Sequence, residues 1–246
     1  MKKINISSII LSFLICFNAL ADETVGMVNS FTGDVLVHRP SAVDLRAAIG
    51  LKLRVGDIIE TKDASSAKLI MLDRNIFTVN ENSRLDLREY IRDNAKGNTT
   101  LGLEGSLHSE IHNKYNDEDT TFRLITDTAV AGVRGTDFLT EHHNGEMKIT
   151  TFEGSVVVGD KMEGRKISNP VPVNKGFQHT HIKGQQFHQT PRRLSEPELH
   201  ALRQRAQAPH LYRRQYVPKK PQAQAPLHAN PIQKKVELKR RPHNHR

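Results

Sequence analysis

The sequence has few cysteines and no long apolar stretch. Proteins built around disulfides or cysteine-bound metals depend on the first feature, and membrane-spanning helical proteins depend on the second. Its 246 residues include one cysteine, Cys16. A single thiol excludes an internal disulfide framework, a cysteine-rich zinc site and an iron–sulfur cluster. The apolar run at residues 9–17 is about half of the roughly 20 residues that a membrane-spanning helix needs.

The common sequence signatures of catalysis are also missing. The chain contains no P-loop, no Gly-x-Ser-x-Gly elbow, no His-Glu-x-x-His helix and no paired cysteine motif. Isolated serines, histidines and aspartates occur without a recognisable spacing. We therefore predict that the protein is not an enzyme and has no cofactor, and we assign no catalytic, cofactor-binding or metal-binding residues.

The first 21 residues are predicted to be a secretory signal peptide. Met1-Lys2-Lys3 is a short positive region, residues 9–17 are the apolar region, and Ala19-Leu20-Ala21 is a small-residue cleavage site. Cleavage after Ala21 would also remove Cys16, which suits an oxidising compartment such as a bacterial periplasm. The alternative is an uncleaved anchor helix.

Charge divides the rest of the chain into two parts. Residues 22–186 carry 20 positive and 24 negative charges, whereas residues 187–246 carry 14 positive and 3 negative charges. The basic character therefore belongs to the C-terminal part, and the remainder is mildly acidic. This distribution gives no reason to expect a nucleic-acid-binding domain.

Residues 22–187 are predicted to form one all-β domain, a β-sandwich or β-coil of the jelly-roll type. Apolar residues alternate with period two in short segments, and turn residues such as Asp73-Arg74-Asn75 and Asn144-Gly145 separate them. A weak internal echo relates residues 31–37 to residues 152–158, and we interpret it as two similar hairpin-like units. The predicted strands are residues 35–37, 58–61, 67–71, 76–79, 85–87, 101–111, 122–125, 147–152 and 155–158.

Residues 188–246 are predicted to be a basic, Pro/His-rich tail that is mostly disordered. The last 60 residues hold 8 of the 11 prolines, and such a segment cannot bury enough apolar area to offset its ordering entropy. One helix is predicted within it, at residues 196–207, because Ser195 and Glu198 form a capping box before Leu199 and Leu202.

The order of motifs in the β-rich part resembles the FecR domain family of bacterial envelope proteins. The run Ala129-Val130-Ala131-Gly132-Val133-Arg134-Gly135-Thr136-Asp137-Phe138 is its most diagnostic piece. Further matching pieces are Gly33-Asp34-Val35, Gly50-Leu51, Val55-Gly56-Asp57, Ser65-Ser66-Ala67, Asn82-Ser83 and Glu153-Gly154. The sequence departs from the family at Asp127-Thr128, where Thr-Pro is common.

The resemblance implies a secreted β module for protein contacts, with no chemistry attached to the fold. The best-known members also carry a cytoplasmic region that controls a sigma factor, and this function does not carry over to the present sequence. We interpret Arg134 as a structural residue in a glycine-flanked turn, Thr136 as a local hydrogen-bonding residue, and Asp57 as an Asx-type turn former. Phe138 is expected to return to the core.

Histidine is the enriched residue type with a capacity for chemistry. His179 and His181 would share one face of a strand and could approach one metal ion, and His142-His143 and His243-x-His245 are further pairs. We interpret these side chains as solvent-exposed, because no third ligand is evident. Metal capture therefore remains the alternative.

These observations predict a non-enzymatic periplasmic interaction module without a membrane span after cleavage. Its β domain would bind an unidentified envelope protein, and its cationic tail would contact anionic polymers or lipids; nucleic acid is not expected. Two alternatives stay open: a signal-sensing regulator that acts in trans on a membrane receptor or regulator, and a His-dependent metal or ligand carrier.

Overall fold

The computed structural model describes residues 24–40, 42–90, 98–112, 121–133, 135–160, 162–163, 166–185 and 190–207. These residues form nineteen strands and one helix, in an all-β arrangement as predicted. The strands of the first half are β1 (Thr24–Thr32), β2 (Val35–His38), β3 (Leu45–Arg46), β4 (Lys52–Arg54), β5 (Ile58–Thr61), β6 (Ser66–Met71), β7 (Ile76–Val79), β8 (Ser83–Glu89) and β9 (Asn98–Glu110).

The second half contains the remaining strands and the helix. They are β10 (Thr121–Ile125), β11 (Val130–Val133), β12 (Asp137–His143), β13 (Glu146–Glu153), β14 (Ser155–Gly159), β15 (Met162–Glu163), β16 (Lys166–Ile167), β17 (Val171–Asn174), β18 (Phe177–Ile182), β19 (Arg192–Arg193) and α1 (Glu196–Gln207).

Seventeen of the strands belong to two sheets that share β9, and β15 pairs with β16 in a separate two-stranded sheet. The first sheet has the order β4-β1-β6-β7-β9-β12-β13-β18-β19, and the second has the order β3-β2-β5-β8-β9-β10-β11-β14-β17. Residues 98–104 of β9 pair in the second sheet and residues 105–110 pair in the first. All of these pairs are antiparallel except the parallel pair of β9 with β10.

The apolar core draws side chains from both sheets. Phe77 of the first sheet stacks on Phe122 of the second with ring centroids 6.0 Å apart, and its ring also meets that of Tyr90 edge-on. The predicted alternation along β9 is confirmed, because Leu101 and Leu107 are fully buried. This core fixes the face of each strand that remains for other contacts.

The internal echo corresponds to two corners between the sheets rather than to two hairpins. At Gly33 the chain passes from β1 of the first sheet to β2 of the second, and at Gly154 it passes from β13 to β14 in the same way. Both glycines have a positive φ, of 74° and 78°. A left-handed residue between two extended segments therefore changes the sheet to which the chain belongs.

The helix predicted at residues 196–207 is α1. Both α1 and β19 lie beyond residue 187, the predicted end of the β domain, and both pack against that domain. Arg192 and Arg193 pair with Gln178 and Phe177 of β18, and Ala206 is buried against the first sheet.

Within the described ranges, no helix has the length and apolarity needed to cross a membrane. The predicted signal peptide, Arg134 and residues 208–246 lie outside the described residues.

Candidate functional site

A polar row crosses the outer face of the first sheet beside α1. Strand register places on this row one polar side chain from each of six strands and Asn80, which directly follows β7, each about 4.8 Å from the next. The members of the row are Thr32, Ser66, Asn80, Ser106, Glu141, Lys148 and Thr180. All of them except Thr180 line a groove along α1. Since four of these six have short side chains, they form the floor of the groove.

The groove consists of two adjoining depressions, of about 750 Å³ and about 460 Å³. Both are lined by Glu141, His143 and Arg205. Nη2 of Arg205 donates a hydrogen bond of 2.7 Å to Oε1 of Glu141, so a bridge from helix to floor separates the two depressions. We call the two depressions together the α1 groove.

The walls of the α1 groove carry charges of both signs in pairs. Arg192 of β19 lies 3.1 Å from Glu198 of α1, and Lys148 lies 2.5 Å from Glu146. Together with Arg205 and Glu141, these are three ion pairs in which every side chain except that of Glu141 is exposed. Exposed ion pairs contribute little to the stability of the fold. Each charged side chain can therefore leave its ion-pair partner and bind a group on another protein at a small cost in free energy.

The seat of α1 is a small apolar cluster on the same face of the sheet. Leu139 of β12, Phe152 of β13 and Ala206 of α1 are buried there, with Leu199 and Leu202 packed against them. The cluster is separate from the main core. Few apolar side chains therefore hold α1 in place, and polar contacts must complete the attachment.

Those polar contacts centre on Asp137. Nη2 of Arg203 lies 3.1 Å from Oδ2 of Asp137, and its guanidinium lies 5.1 Å above the ring of Phe152. Nε2 of the buried His108 lies 2.6 Å from Oδ1 of the same carboxylate. Asp137 thus connects β9, β12 and α1.

The start of α1 is fixed by the predicted capping box. The hydroxyl and the backbone N–H of Ser195 both donate to Oε2 of Glu198, at 2.7 and 2.9 Å. These hydrogen bonds, together with Arg192, lower the pKa of Glu198 to about 2. Glu198 therefore remains ionised, both as a capping group and as a wall of the α1 groove.

Asp57 has a structural position, although its geometry differs from an Asx-type turn. Its side chain is fully buried, and both carboxylate oxygens accept hydrogen bonds from Arg39, at 2.9 and 2.8 Å. The backbone N–H of Arg54, three residues earlier, donates to it at 2.9 Å. Arg39 was not identified from the sequence, because no local motif links residues 18 positions apart.

Three residues of the diagnostic run have clear positions. Phe138 lies in the main core as predicted, and Gly132 leaves room for the side chain of Ile167. The hydroxyl of Thr136 donates to the carbonyl of Ser155 at 3.0 Å, a contact across 19 residues where a local one was predicted. Thr136 thus joins β12 to the Gly154 corner.

The prediction that the paired histidines are solvent-exposed is wrong for three of them. His142, His179 and His181 are only 6%, 2% and 5% exposed, because they occupy the inward face of β12 and β18; His143 is exposed. Burial lowers the pKa of His181. In the part of the chain that the structure describes, no group of three or more His, Cys, Asp or Glu residues is arranged to hold a metal ion.

His142 meets an aspartate and a threonine, but the three do not form a proton relay. Oδ1 of Asp127 and Oγ1 of Thr128 both contact Nε2 of His142, at 2.7 and 3.0 Å. A relay requires the two groups to contact opposite ring nitrogens. The arrangement instead ties the β10–β11 connection to β12.

The sequence did not reveal the α1 groove. One part of it was indicated, because the spacing of Leu199 and Leu202 predicts an apolar face on the helix. The floor could not be recognised, because its residues come from five strands and from the position after β7, and they share a row only through long-range register.

A family model described as FecR protein matches residues 57–157. The match includes the run at residues 129–138, so the predicted resemblance is confirmed over this part of the chain. The segments at residues 33–35 and 50–56 precede the matched range.

Two crystal structures of a "putative anti-sigma factor" from Parabacteroides distasonis ATCC 8503, at 2.50 and 1.65 Å resolution, are similar to this chain. The sequence identity is 14%, the TM-scores are 0.48 and 0.47, and the alignments cover 60% of this chain. They span 64% of the length of those structures. No curated protein matches the sequence.

Proposed function

From the FecR match over residues 57–157, we propose that this protein is a non-enzymatic, signal-sensing regulatory module that binds a protein partner in the bacterial envelope. The observation that carries the proposal is the α1 groove. Its polar floor and its paired wall charges suit a segment of a folded or extended protein.

The chemistry of the groove defines the kind of partner. Glu141, Glu146 and Glu198 face Lys148, Arg192 and Arg205, so carboxylates and cations alternate around one polar floor. A purely anionic polymer would meet as many carboxylates as cations, and an apolar ligand would meet few apolar side chains. A polar protein segment with charges of both signs is complementary.

Location forms a second part of the proposal. The short basic start, the apolar run at residues 9–17 and the small residues at positions 19–21 support export and cleavage. Residues 208–246 carry 10 positive charges and 1 negative charge. We assign to them the attachment of the exported protein to anionic envelope material.

Site-specific photo-crosslinking in cells tests the binding site. A photo-reactive residue at Ala201, which lines the α1 groove, should capture one predominant protein. The same residue at Gln204, which is exposed on α1 but does not line the groove, is the matched control. Equal capture of the same proteins at both positions would argue against the groove.

A charge-swapped pair separates recognition from folding. Arg205→Glu should weaken capture at Ala201, and Arg205→Glu with Glu141→Arg should restore the bridge and the stability of the protein. The double variant presents the two charges in exchanged positions, so capture should remain weak. Full recovery of capture would show that the bridge only supports α1.

A further inference from the structure

The outer face of the first sheet has an acidic part, and α1 covers it. Arg203 of the helix lies 3.1 Å from Asp137 of β12 and 3.8 Å from Glu153 of β13. Arg205 lies 2.7 Å from Glu141 of β12. Cations of α1 therefore meet carboxylates of β12 and β13. On the other side of β9, the same face continues over β7, β6 and β1.

On β1, β6 and β7 this face carries four apolar side chains, which we call the apolar strip. Met27, Ile70 and Ile76 form one cross-strand row, and Leu72 follows on the same face directly after β6. Met27 and Leu72 are 42% and 47% exposed, and the two isoleucines are half-buried. No element within the described ranges covers the strip, so its side chains are open to a binding partner.

Three cations border the apolar strip. Lys52 of β4 lies opposite Met27, and Lys68 shares the outer face of β6 with Ile70. Arg74 is exposed in the turn between β6 and β7. Among the residues that the structure describes, no acidic side chain forms an ion pair with any of the three. Their charges are therefore available to a binding partner as well.

The carboxylate nearest to the strip belongs to a different cluster. Glu110 of β9 follows Ile76 in the cross-strand row. Its two oxygens lie 3.9 Å from Nδ1 of His108 and 3.9 Å from Nε2 of His112. Glu110 thus contacts two imidazoles at the border of the acidic part, and the charge around the strip remains positive.

Helix α1 shows how a helix packs on this sheet. Its residues Leu199, Leu202 and Ala206, spaced i, i+3 and i+7, pack on two apolar side chains of β12 and β13. Positions i and i+7 are about 10.5 Å apart along a helix. The row from Met27 to Ile76 spans two strand spacings, which is about 10 Å. A helix laid along this row therefore places three apolar side chains over three strands.

We propose that the apolar strip is a docking site for an acidic amphipathic helix of a protein partner. The helix presents apolar residues at i, i+3 and i+7 to the strip and carboxylates to Lys52, Lys68 and Arg74. The charges are the reverse of those at α1, where cations of the helix meet carboxylates of the sheet. The strip shares no residue with the α1 groove, so this proposal does not depend on the function proposed for the groove.

A second copy of the chain is a less suitable occupant. A two-fold contact brings the same surface of both copies together. Lys52, Lys68 and Arg74 of one copy would then meet the same cations of the other copy. Like charges across an interface oppose association, whereas an acidic helix is complementary to this border.

A synthetic helical peptide tests the site on the full-length protein. The probe has leucines at i, i+3 and i+7 and glutamates at the flanking positions, and its fluorescence anisotropy measures binding. Met27→Asp should weaken binding about tenfold, because it removes an apolar contact and adds a negative charge. Val43→Asp is the matched control of equal net charge, since Val43 is 83% exposed and precedes β3 of the second sheet. It should bind the peptide as the unchanged protein does.

A second pair of variants tests the charges at the border. Lys68→Gln should weaken binding of the acidic peptide about threefold, as expected for an exposed ion pair. Lys62→Gln is its control, because Lys62 follows β5 of the second sheet and pairs with Glu60. A peptide with lysines in place of the glutamates should not bind the unchanged protein.

Three results would overturn the proposal. Equal binding by Met27→Asp and Val43→Asp would mean that the basic residues 208–246 hold the peptide. Self-association of the unchanged protein that Met27→Asp abolishes would assign the strip to a second copy. Binding of anionic vesicles that Met27→Asp abolishes and Val43→Asp preserves would assign it to lipid.

Discussion

Gly154 occupies one of the two corners at which the chain passes between the sheets, and no other residue type fits there. A Cβ atom at this position would lie 2.7 Å from the carbonyl oxygen of Gly135 and 3.1 Å from Oγ1 of Thr136. Its φ of 78° is itself unfavourable for residues with a side chain. Strain and collision therefore act together at this corner.

Gly154→Ala should destabilise the protein by about 2–4 kcal/mol, because a left-handed alanine costs about 1 kcal/mol and the collision adds to it. Gly50→Ala is the matched control: Gly50 has a φ of 82° and nothing within 4 Å of its Cβ position. It should cost about 1 kcal/mol. Urea unfolding of both variants measures the difference, and equal losses would mean that the corner has room for a side chain.

His38 is held between two carboxylates on the second sheet. Its Nε2 lies 2.5 Å from Oε2 of Glu60, and its Nδ1 lies 3.0 Å from Oδ2 of Asp44. The hydrogen bond to Glu60 is the main cause that raises the pKa of His38 above 6.5. The pKa of Glu60 is lowered by Lys62 and by His38.

These pKa shifts predict a pH window for the contribution of His38. A raised imidazole pKa gives stability that is present below about pH 6.5 and lost as the pH rises through the folded-state pKa. The lowered pKa of Glu60 sets the acid limit of the window. The stability that ionised Glu60 contributes is lost as the pH falls through the folded-state pKa of Glu60. His38→Gln should therefore be most destabilising between these limits and nearly neutral at alkaline pH.

Urea unfolding of the unchanged protein and of His38→Gln, from about pH 5 to about pH 9, measures this window. Lys62→Gln is the control, because it removes a different neighbour of Glu60 and leaves His38 in place. A difference between the unchanged protein and His38→Gln that stays constant across this range would contradict the assignment.

Asp73 is a buried carboxylate that the sequence marked only as a turn residue. Its Oδ2 accepts hydrogen bonds from the hydroxyl of Tyr90 at 2.7 Å and from the side-chain amide of Asn75 at 3.0 Å. Burial raises its pKa. Asn75 also accepts the backbone N–H of His112, so this network joins the β6–β7 turn to the ends of β8 and β9.

Tyr90→Phe should destabilise the protein by about 1–3 kcal/mol, because it leaves a buried carboxylate with one donor fewer. Asp73→Asn in the same background should recover part of the loss, since the neutral amide tolerates burial better. The four proteins form a double-mutant cycle in urea unfolding. A coupling energy near zero between the two sites would remove Asp73 from the network.

Secondary structure was largely predictable because local pattern determines it. The apolar alternation identified β5 and β7 with their observed bounds, and the capping box identified α1. Short strands without alternation, such as β3 and β19, were not identified. They form because the backbone hydrogen-bonding groups of a neighbouring strand are available for pairing. The local sequence of β3 or β19 carries no pattern that indicates this pairing.

Burial of the histidines shows why the site was less predictable than the strands. A sequence indicates that His179 and His181 share a face of their strand. Whether that face is directed to the core or to solvent depends on β13 and on the second sheet. Only the tertiary arrangement decides whether the polar residues at every second position of a strand face solvent or the core. The same reason concealed the α1 groove.

Helix α1 is attached mainly by Arg203, which meets Asp137 and Phe152 at once. Arg203→Gln should raise the amide hydrogen-exchange rates of α1 by about tenfold, since loss of a partly buried ion pair and a cation–π contact costs about 1–2 kcal/mol. The midpoint of global unfolding should change little, because the main core is separate. Gln204→Ala, on the exposed side of the same helix, should leave exchange unchanged; equal acceleration in both variants would contradict this account.

At the scale of the whole molecule, charge is separated along the chain. Residues 208–246 carry 10 positive charges and 1 negative charge, whereas residues 22–207 carry 24 positive and 26 negative charges. The packed unit includes β19 and α1, so a truncation that tests the basic segment should end after Gln207 and not at residue 187. Cutting at residue 187 would remove α1 and expose Leu139 and Phe152.

The full-length protein should bind isolated envelopes and anionic vesicles at low salt and should be released as salt increases. The screening length shortens from about 10 Å at 0.1 M to about 3 Å at 1 M, so attachment by exposed Lys and Arg residues weakens across this range. The chain ending at Gln207 should bind at neither salt concentration, because its charges nearly balance. Replacing Lys234, Lys235, Lys239, Arg240 and Arg241 by Gln in the full-length chain is the matched control of equal length, and it should give intermediate binding. Salt-resistant binding that is equal in the full-length and truncated proteins would place envelope attachment in the β-rich part instead.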